Sequence, residues 1–253
     1  MRSGERKALS GPVSVTCVTK KSEEEYTGTS SPANDRTLGQ TEYNIVPLDL
    51  GWLDEPICWP EGETGLKTSY NCKAEIDPLL ELVGGNKVCV QAGGALGLFA
   101  KYLSRHFETV LTFEPNPILF QALVFNTPEY NIFTMPMALT RHRRSVGLAA
   151  EKRHEKSNMG AWWVEGEGKI PGIQLDAIHL EALDLLILDI EGGELAAIAG
   201  AERHIEKFHP VLHLEWKKKI HDRAGVTAEE FHEKLLSYGY ELVRDKRSER
   251  TYV

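Results

Sequence analysis

The chain has 253 residues, with 29 Lys and Arg against 37 Asp and Glu and a formal charge of −8. Hydrophobic residues make up 42% and charged residues 26%, an ordinary globular balance for one large domain or two small ones. The acidic surplus argues against non-specific nucleic-acid binding and against an anionic membrane surface as partners.

Cys17, Cys58, Cys72 and Cys89 are far apart with no CxxC pair, which argues against zinc and against a disulfide framework. No apolar run follows the charged Met1–Lys7, so no signal peptide is expected. The most apolar segment, Leu183 to Ile190, holds Asp184 and Asp189 and is too short to span a bilayer. The expectation is a cytoplasmic protein with reduced thiols.

Residues 1–40 are rich in Ser, Thr, Gly and charge and are expected to form a mobile arm. Within them Val13, Val15 and Cys17 alternate with polar residues like a short strand. Residues 41–86 carry Tyr43, Trp52, Ile57 and Trp59 among Pro and Gly. They predict an ordered but irregular lead-in ending in a helix from Ile76 to Val83, stopped by Gly84-Gly85.

From residue 87 to 253 strands and helices alternate as one domain. Strands are predicted at Lys87–Gln91, Thr109–Phe113, Asn131–Met135, Leu185–Asp189 and Val211–Glu215. Helices are predicted at Leu98–Arg105, after the Asn116-Pro117 cap, at Glu194–Lys207, and from the Thr227–Glu230 capping box to Tyr238. Tyr240–Arg244 and Arg250–Val253 read as a closing hairpin. The alternation means an α/β fold, a doubly wound parallel sheet with helices on both faces and an antiparallel addition at one end.

The first strand runs into Gln91-Ala92-Gly93-Gly94-Ala95-Leu96-Gly97. In a doubly wound sheet this turn lies at the carboxyl edge, where small residues and a helix N-terminus admit a ligand. Glu114 closes the second strand, where a carboxylate can accept both hydroxyls of a ribose. Together they indicate an adenosine-type ligand. A dinucleotide GxGxxG starting at Gly93 would need glycines where Ala95 and Leu98 stand, which disfavours an NAD-linked reductase, and there is no P-loop. The turn suits S-adenosylmethionine better.

These blocks, with Phe113-Glu114-Pro115-Asn116-Pro117, Asn126, Pro136–Thr140, Ile173–Ile178, Asp189-Ile190-Glu191-Gly192-Gly193-Glu194 and Pro210–Glu215, resemble the FkbM-type S-adenosylmethionine-dependent methyltransferases. The resemblance runs over about residues 87 to 245. It implies a class I methyltransferase (Rossmann-like) fold with strand order 3-2-1-4-5-7-6 and a C-terminal antiparallel hairpin. It also implies S-adenosylmethionine as cofactor and a hydroxyl of a small molecule or sugar as acceptor. Carried over by position, Gln91, Gly93 and Gly97 contact the methionine part. Glu114 holds the ribose, Pro115 packs near the adenine, and Ala138 offers it backbone. The family usually has Asp where this chain has Gln91 and Asn where it has Ala95. That departure motivates an alternative, a non-catalytic module that binds the cofactor or another adenosine ligand as a partner protein.

A hydroxyl acceptor needs a base, and Asp189 and Glu191 are the candidates. Glu194 is read as a helix cap. His213 and Glu215 share one face of their strand and could join Asp189 and Glu191 as a base or oxygen-rich metal site. A strand histidine is more often simply packed, so no metal ligand is assigned. Trp162-Trp163 lie in a polar insertion, readable as a substrate lid or as a plug in the core. The basic runs Arg141–Arg144 and Lys217–Lys219 are read first as solvated loop faces, though one could meet an anionic substrate. The Asp189 block lacks the Asp/Asn-Pro-Pro-aromatic sequence of base amino-group methylation, which disfavours nucleic acid as substrate. No membrane partner is expected.

Overall fold

The computed structural model describes residues 42–151, 158–216, 227–246 and 248–253. The arm at residues 1–40, its Val13/Val15/Cys17 alternation and the Lys217–Lys219 run lie outside the described residues.

Strands β3 (Val88–Ala92), β4 (Thr109–Phe113), β5 (Ile132–Met135), β9 (Leu185–Leu188) and β10 (Val211–Glu215) are parallel neighbours. The antiparallel hairpin β11 (Leu242–Asp245) and β12 (Glu249–Tyr252) joins through β10. The full order is β11-β12-β10-β9-β3-β4-β5, a mixed seven-stranded sheet. Alternate residues of each strand feed opposite faces, and two cores result. Cys89 and Val110 join a core with α1 (Cys72–Leu80), α2 (Leu98–Leu103) and α3 (Pro117–Asn126). Val90 and Leu111 join the other, with α4 (Glu194–Ala199), α5 (Glu202–Phe208) and α6 (Ala228–Ser237).

Local signals act where they were expected. Asn116 Oδ1 accepts from the Ile118 N–H at 3.0 Å to cap α3. Thr227 and Glu230 complete a reciprocal capping box on α6.

Several predicted elements differ. The lead-in is not irregular throughout: β1 (Tyr43–Asp49) and β2 (Asp54–Pro60) pair as an antiparallel hairpin, with Pro47 opposite Pro56. Among the described residues the hairpin pairs with no other strand, so its prolines cost no ladder bond to a neighbour. Buried Asn126 docks it by accepting from the Cys58 N–H at 2.6 Å and donating to the Cys58 and Leu96 carbonyls at 3.0 and 2.9 Å. Helix α1 starts at Cys72, carries Pro78 inside its last turn, and ends at Leu80, short of Gly84.

The single helix predicted from Glu194 to Lys207 is two. An added Cβ on Gly200 would lie 2.2 Å from the Thr140 carbonyl oxygen, so the chain passes too close there for any other residue. Asp176, from a distant turn, then accepts from the Arg203 and His204 N–H groups at 3.0 and 3.1 Å and starts α5. The insertion around Trp162 is also sheet. Strands β6 (Ala138–Leu139), β7 (Arg144–Ala149) and β8 (Trp163–Ile173) form a three-stranded sheet in the order β6-β8-β7. No helix among the described residues is long and apolar enough to cross a membrane.

Candidate active site

A cavity of about 580 Å³ opens along the carboxyl ends of β4, β3 and β9. Its floor includes Gln91, Gly93 and Ala95, and its flank Glu114, Pro115 and Asn116. Ala138 lines the far side, and Asp189 with Glu191 the near side. The predicted residues thus converge, with one exception. Gly97 is not on the lining: it starts α2 with φ +86°, and an added Cβ would meet Thr127 Cγ2 at 2.6 Å. The site of its missing Cβ faces Thr127 and Leu123 at the C-terminal end of α3.

The glycine turn is held from both sides. Gly93 has φ +88°, and an added Cβ would lie 1.9 Å from the Asp189 carbonyl oxygen. Ala95 also has a left-handed backbone, φ +45°, where a Cβ is strained. The Ala95 N–H donates to Glu114 Oε2 at 2.8 Å, and the Asn116 N–H donates to Glu114 Oε1 at 2.7 Å. Glu114 is buried, and that burial pushes its carboxyl up to about 7 despite both N–H donors, which pull the other way.

Gln91 is 2% exposed, and its carboxamide is committed inside the protein. Nε2 donates to the Gly93 carbonyl at 2.6 Å, and Oε1 accepts from the Thr112 hydroxyl at 2.5 Å. It braces the turn.

Asp189 is exposed, and its carboxylate has no hydrogen bond or ion pair among the described residues. Glu191 follows in a left-handed conformation, φ +54°. Glu194 lies beneath this turn, its Oε1 accepting from the Ile190 and Gly192 N–H groups at 3.0 and 3.3 Å, and burial pushes its carboxyl up to about 7. Asp189, Glu191 and Glu215 bring one carboxylate oxygen each within 4.8 Å of one another, a spacing that an oxygen-liganded divalent cation could bridge. His213 does not join them. Its Nδ1 meets the Thr251 hydroxyl at 3.1 Å, and burial, with Arg244 and Lys246 nearby, lowers its pKa to about 4, so the ring is neutral.

Sequence reasoning missed the roof. Gly65 and Ser69, in the 3-10 helix Gly65–Asn71, and Asn158 to Trp162, around the 3-10 turn Met159–Ala161, line the cavity together. Buried Glu63 ties these segments by accepting from the N–H groups of Gly65 and Met159. Nothing in the spacing of Glu63 and Met159 signals this pairing. Trp162, one of the two tryptophans singled out from the sequence, lines the cavity and packs against the core that holds α1 and α2. Arg141 and Arg144, read as solvated, also reach the lining.

A model of the FkbM methyltransferase domain matches residues 89–242. No curated protein matches the chain. Among solved structures, methyltransferase FkbM from Methylobacillus flagellatus KT is 19% identical with a TM-score of 0.46, over 66% of this chain and 44% of that one. The chain thus spans less than half the length of that relative. The ribosomal protein L11 methylase of Lactobacillus delbrueckii subsp. bulgaricus is 11% identical with a TM-score of 0.46, over 75% and 79% of the two chains. Magnesium protoporphyrin IX methyltransferase from Synechocystis PCC 6803, solved with bound SAH, is 11% identical with a TM-score of 0.41, over 73% and 81%. With the model match covering most of the residues that build the sheet and its cavity, the chain belongs to the FkbM methyltransferase domain family.

Proposed function

We propose that this chain binds S-adenosylmethionine in the 580 Å³ cavity and transfers its methyl group to a hydroxyl oxygen of a small molecule or sugar. The observation that carries the reading is the placement of Glu114, Gly93 and Asp189 on one continuous lining at the ends of three adjacent strands. The residues fit the cofactor. Glu114 retains a free lone pair on each carboxylate oxygen beyond its N–H bonds and can accept ribose hydroxyls. The turn at Gly93 lets the ligand lie against backbone.

When bound, the cofactor supplies an electrophilic methyl on a sulfonium. The protein's part is to hold donor and acceptor in line and to exclude water. Glu114 and the glycine turn position the nucleoside, and the roof of residues 158–162 limits solvent. In this reading Glu191, on the cavity lining, takes the acceptor's proton. One observation favours the non-catalytic alternative: the committed carboxamide of Gln91 adds no charge to the cofactor's amino-acid end.

Calorimetry with S-adenosylhomocysteine tests the binding half. Wild type is expected to bind, and Glu114→Gln to bind about tenfold or more weakly, as loss of charged hydrogen bonds implies. No binding to folded wild type refutes the reading. Labelled methyl transfer to a panel of sugars and small hydroxylated molecules separates the enzyme from the non-catalytic module: uptake that Glu191→Gln abolishes supports the enzyme.

A further inference from the structure

The cavity crosses the ends of β4, β3 and β9 in that order. Adjacent strands lie about 4.8 Å apart, so the ends of β4 and β9 are about 10 Å from one another. A ligand with its ribose on Glu114 extends its amino-acid arm over Gly93 and ends beside Asp189. That arm carries an ammonium, which in a partly closed site calls for a charged acceptor.

Few groups are available. The carboxylates on the lining are Glu114, Asp189 and Glu191. Glu114 lies at the ribose end and holds the Ala95 and Asn116 N–H groups. Gln91, at the end of the middle strand, is neutral and bonded on both sides of its carboxamide. Asp189 is different: it stands at the end of β9, its backbone carbonyl abuts Gly93, and its carboxylate makes no hydrogen bond or ion pair among the described residues.

We infer that the Asp189 carboxylate binds the ammonium of the cofactor's amino-acid end and supplies the charge that Gln91 lacks. Asp189 is then a cofactor-specificity residue rather than the base, and proton removal falls to Glu191. The inference rests on the proposed S-adenosylmethionine reading.

The test compares S-adenosylhomocysteine with its deaminated analogue, which has hydrogen in place of the amino group, by calorimetry on wild type and Asp189→Asn. Wild type is expected to prefer the amino form by about tenfold or more, and Asp189→Asn to bind the two within about twofold. Asp189→Glu keeps the charge and should keep the preference, which guards against an Asn variant that fails to fold. If wild type binds both ligands equally, or Asp189→Asn still discriminates, the inference is overturned while the cofactor reading stands. If folded wild type binds neither, both fall.

Discussion

Glu63 accepts a hydrogen bond from the backbone N–H of Met159, joining residues 96 positions apart in the chain. Its other carboxylate oxygen accepts from the Gly65 N–H at 2.5 Å, and the side chain is buried. One carboxylate therefore fastens the roof of the cavity to the N-terminal hairpin segment. Glu63→Ala strands the buried Met159 N–H, which costs about 1–3 kcal/mol, and also removes the half-buried bond to Gly65. Denaturant unfolding should show that loss, and limited proteolysis should cut near residue 158 faster. Unchanged stability and an unchanged cleavage pattern would show that the roof is held by other contacts.

Ligand affinity should depend on pH through Glu114. Its folded pKa of about 7 lies above the ordinary 4.5 because burial disfavours the charge. The sign for stability follows: this group's contribution is fully present below about pH 4.5 and is lost as pH rises toward 7. The sign for binding is opposite, because ribose hydroxyls donate to the ionised carboxylate. Affinity for S-adenosylhomocysteine should rise with pH up to about 7 and then level. Glu194 and Glu75 also titrate near 7, so Glu114→Gln is the control that should flatten the curve. A wild-type profile that the Gln variant reproduces would assign the dependence elsewhere.

Ala95 carries a strained left-handed backbone at φ +45°. Asn tolerates that region better than Ala. Ala95→Asn should therefore stabilise the fold by about 0.5–1 kcal/mol and raise Tm by roughly 1–4 °C. Differential scanning calorimetry reads this directly, and a lowered Tm would mean that the new side chain clashes in the cavity.

Gly200→Ala should destabilise by about 1–3 kcal/mol, because the added methyl would lie 2.2 Å from the Thr140 carbonyl oxygen. Chemical denaturation measures it. Gly166→Ala is a useful contrast, since nothing lies within 4 Å of its added Cβ and its φ of +62° is left-handed, whereas Gly200 has φ −87°. Its smaller loss would separate backbone strain from the clash at Gly200.

Much of the β3–α6 region was legible because its signals are local. The β-branched run before Gly93, the Asn116-Pro117 cap and the Thr227–Glu230 box each work within a few residues. The positions of Glu114, Asp189 and Glu191 on the cavity follow from strand ends at one edge of the sheet. Errors arose where a distant group intervenes. Asp176 restarts α5 from across a loop, and Thr140 closes the space at Gly200. That Gly97 sits off the cavity lining, against Thr127 thirty residues on, also depends on a distant group.

By itself the sequence determined the alternation of elements, the glycine turn and which carboxylates end which strands, because periodicity, capping and turn chemistry act over short spans. Tertiary structure alone decided what those groups touch. It turned Gln91 inward onto Thr112 and Gly93, left Asp189 without a partner among the described residues, and roofed the cavity with Gly65, Ser69 and residues 158–162. The reason is that burial and hydrogen-bond partnership depend on segments brought together only when both cores form, and those pairings leave no mark in residue spacing.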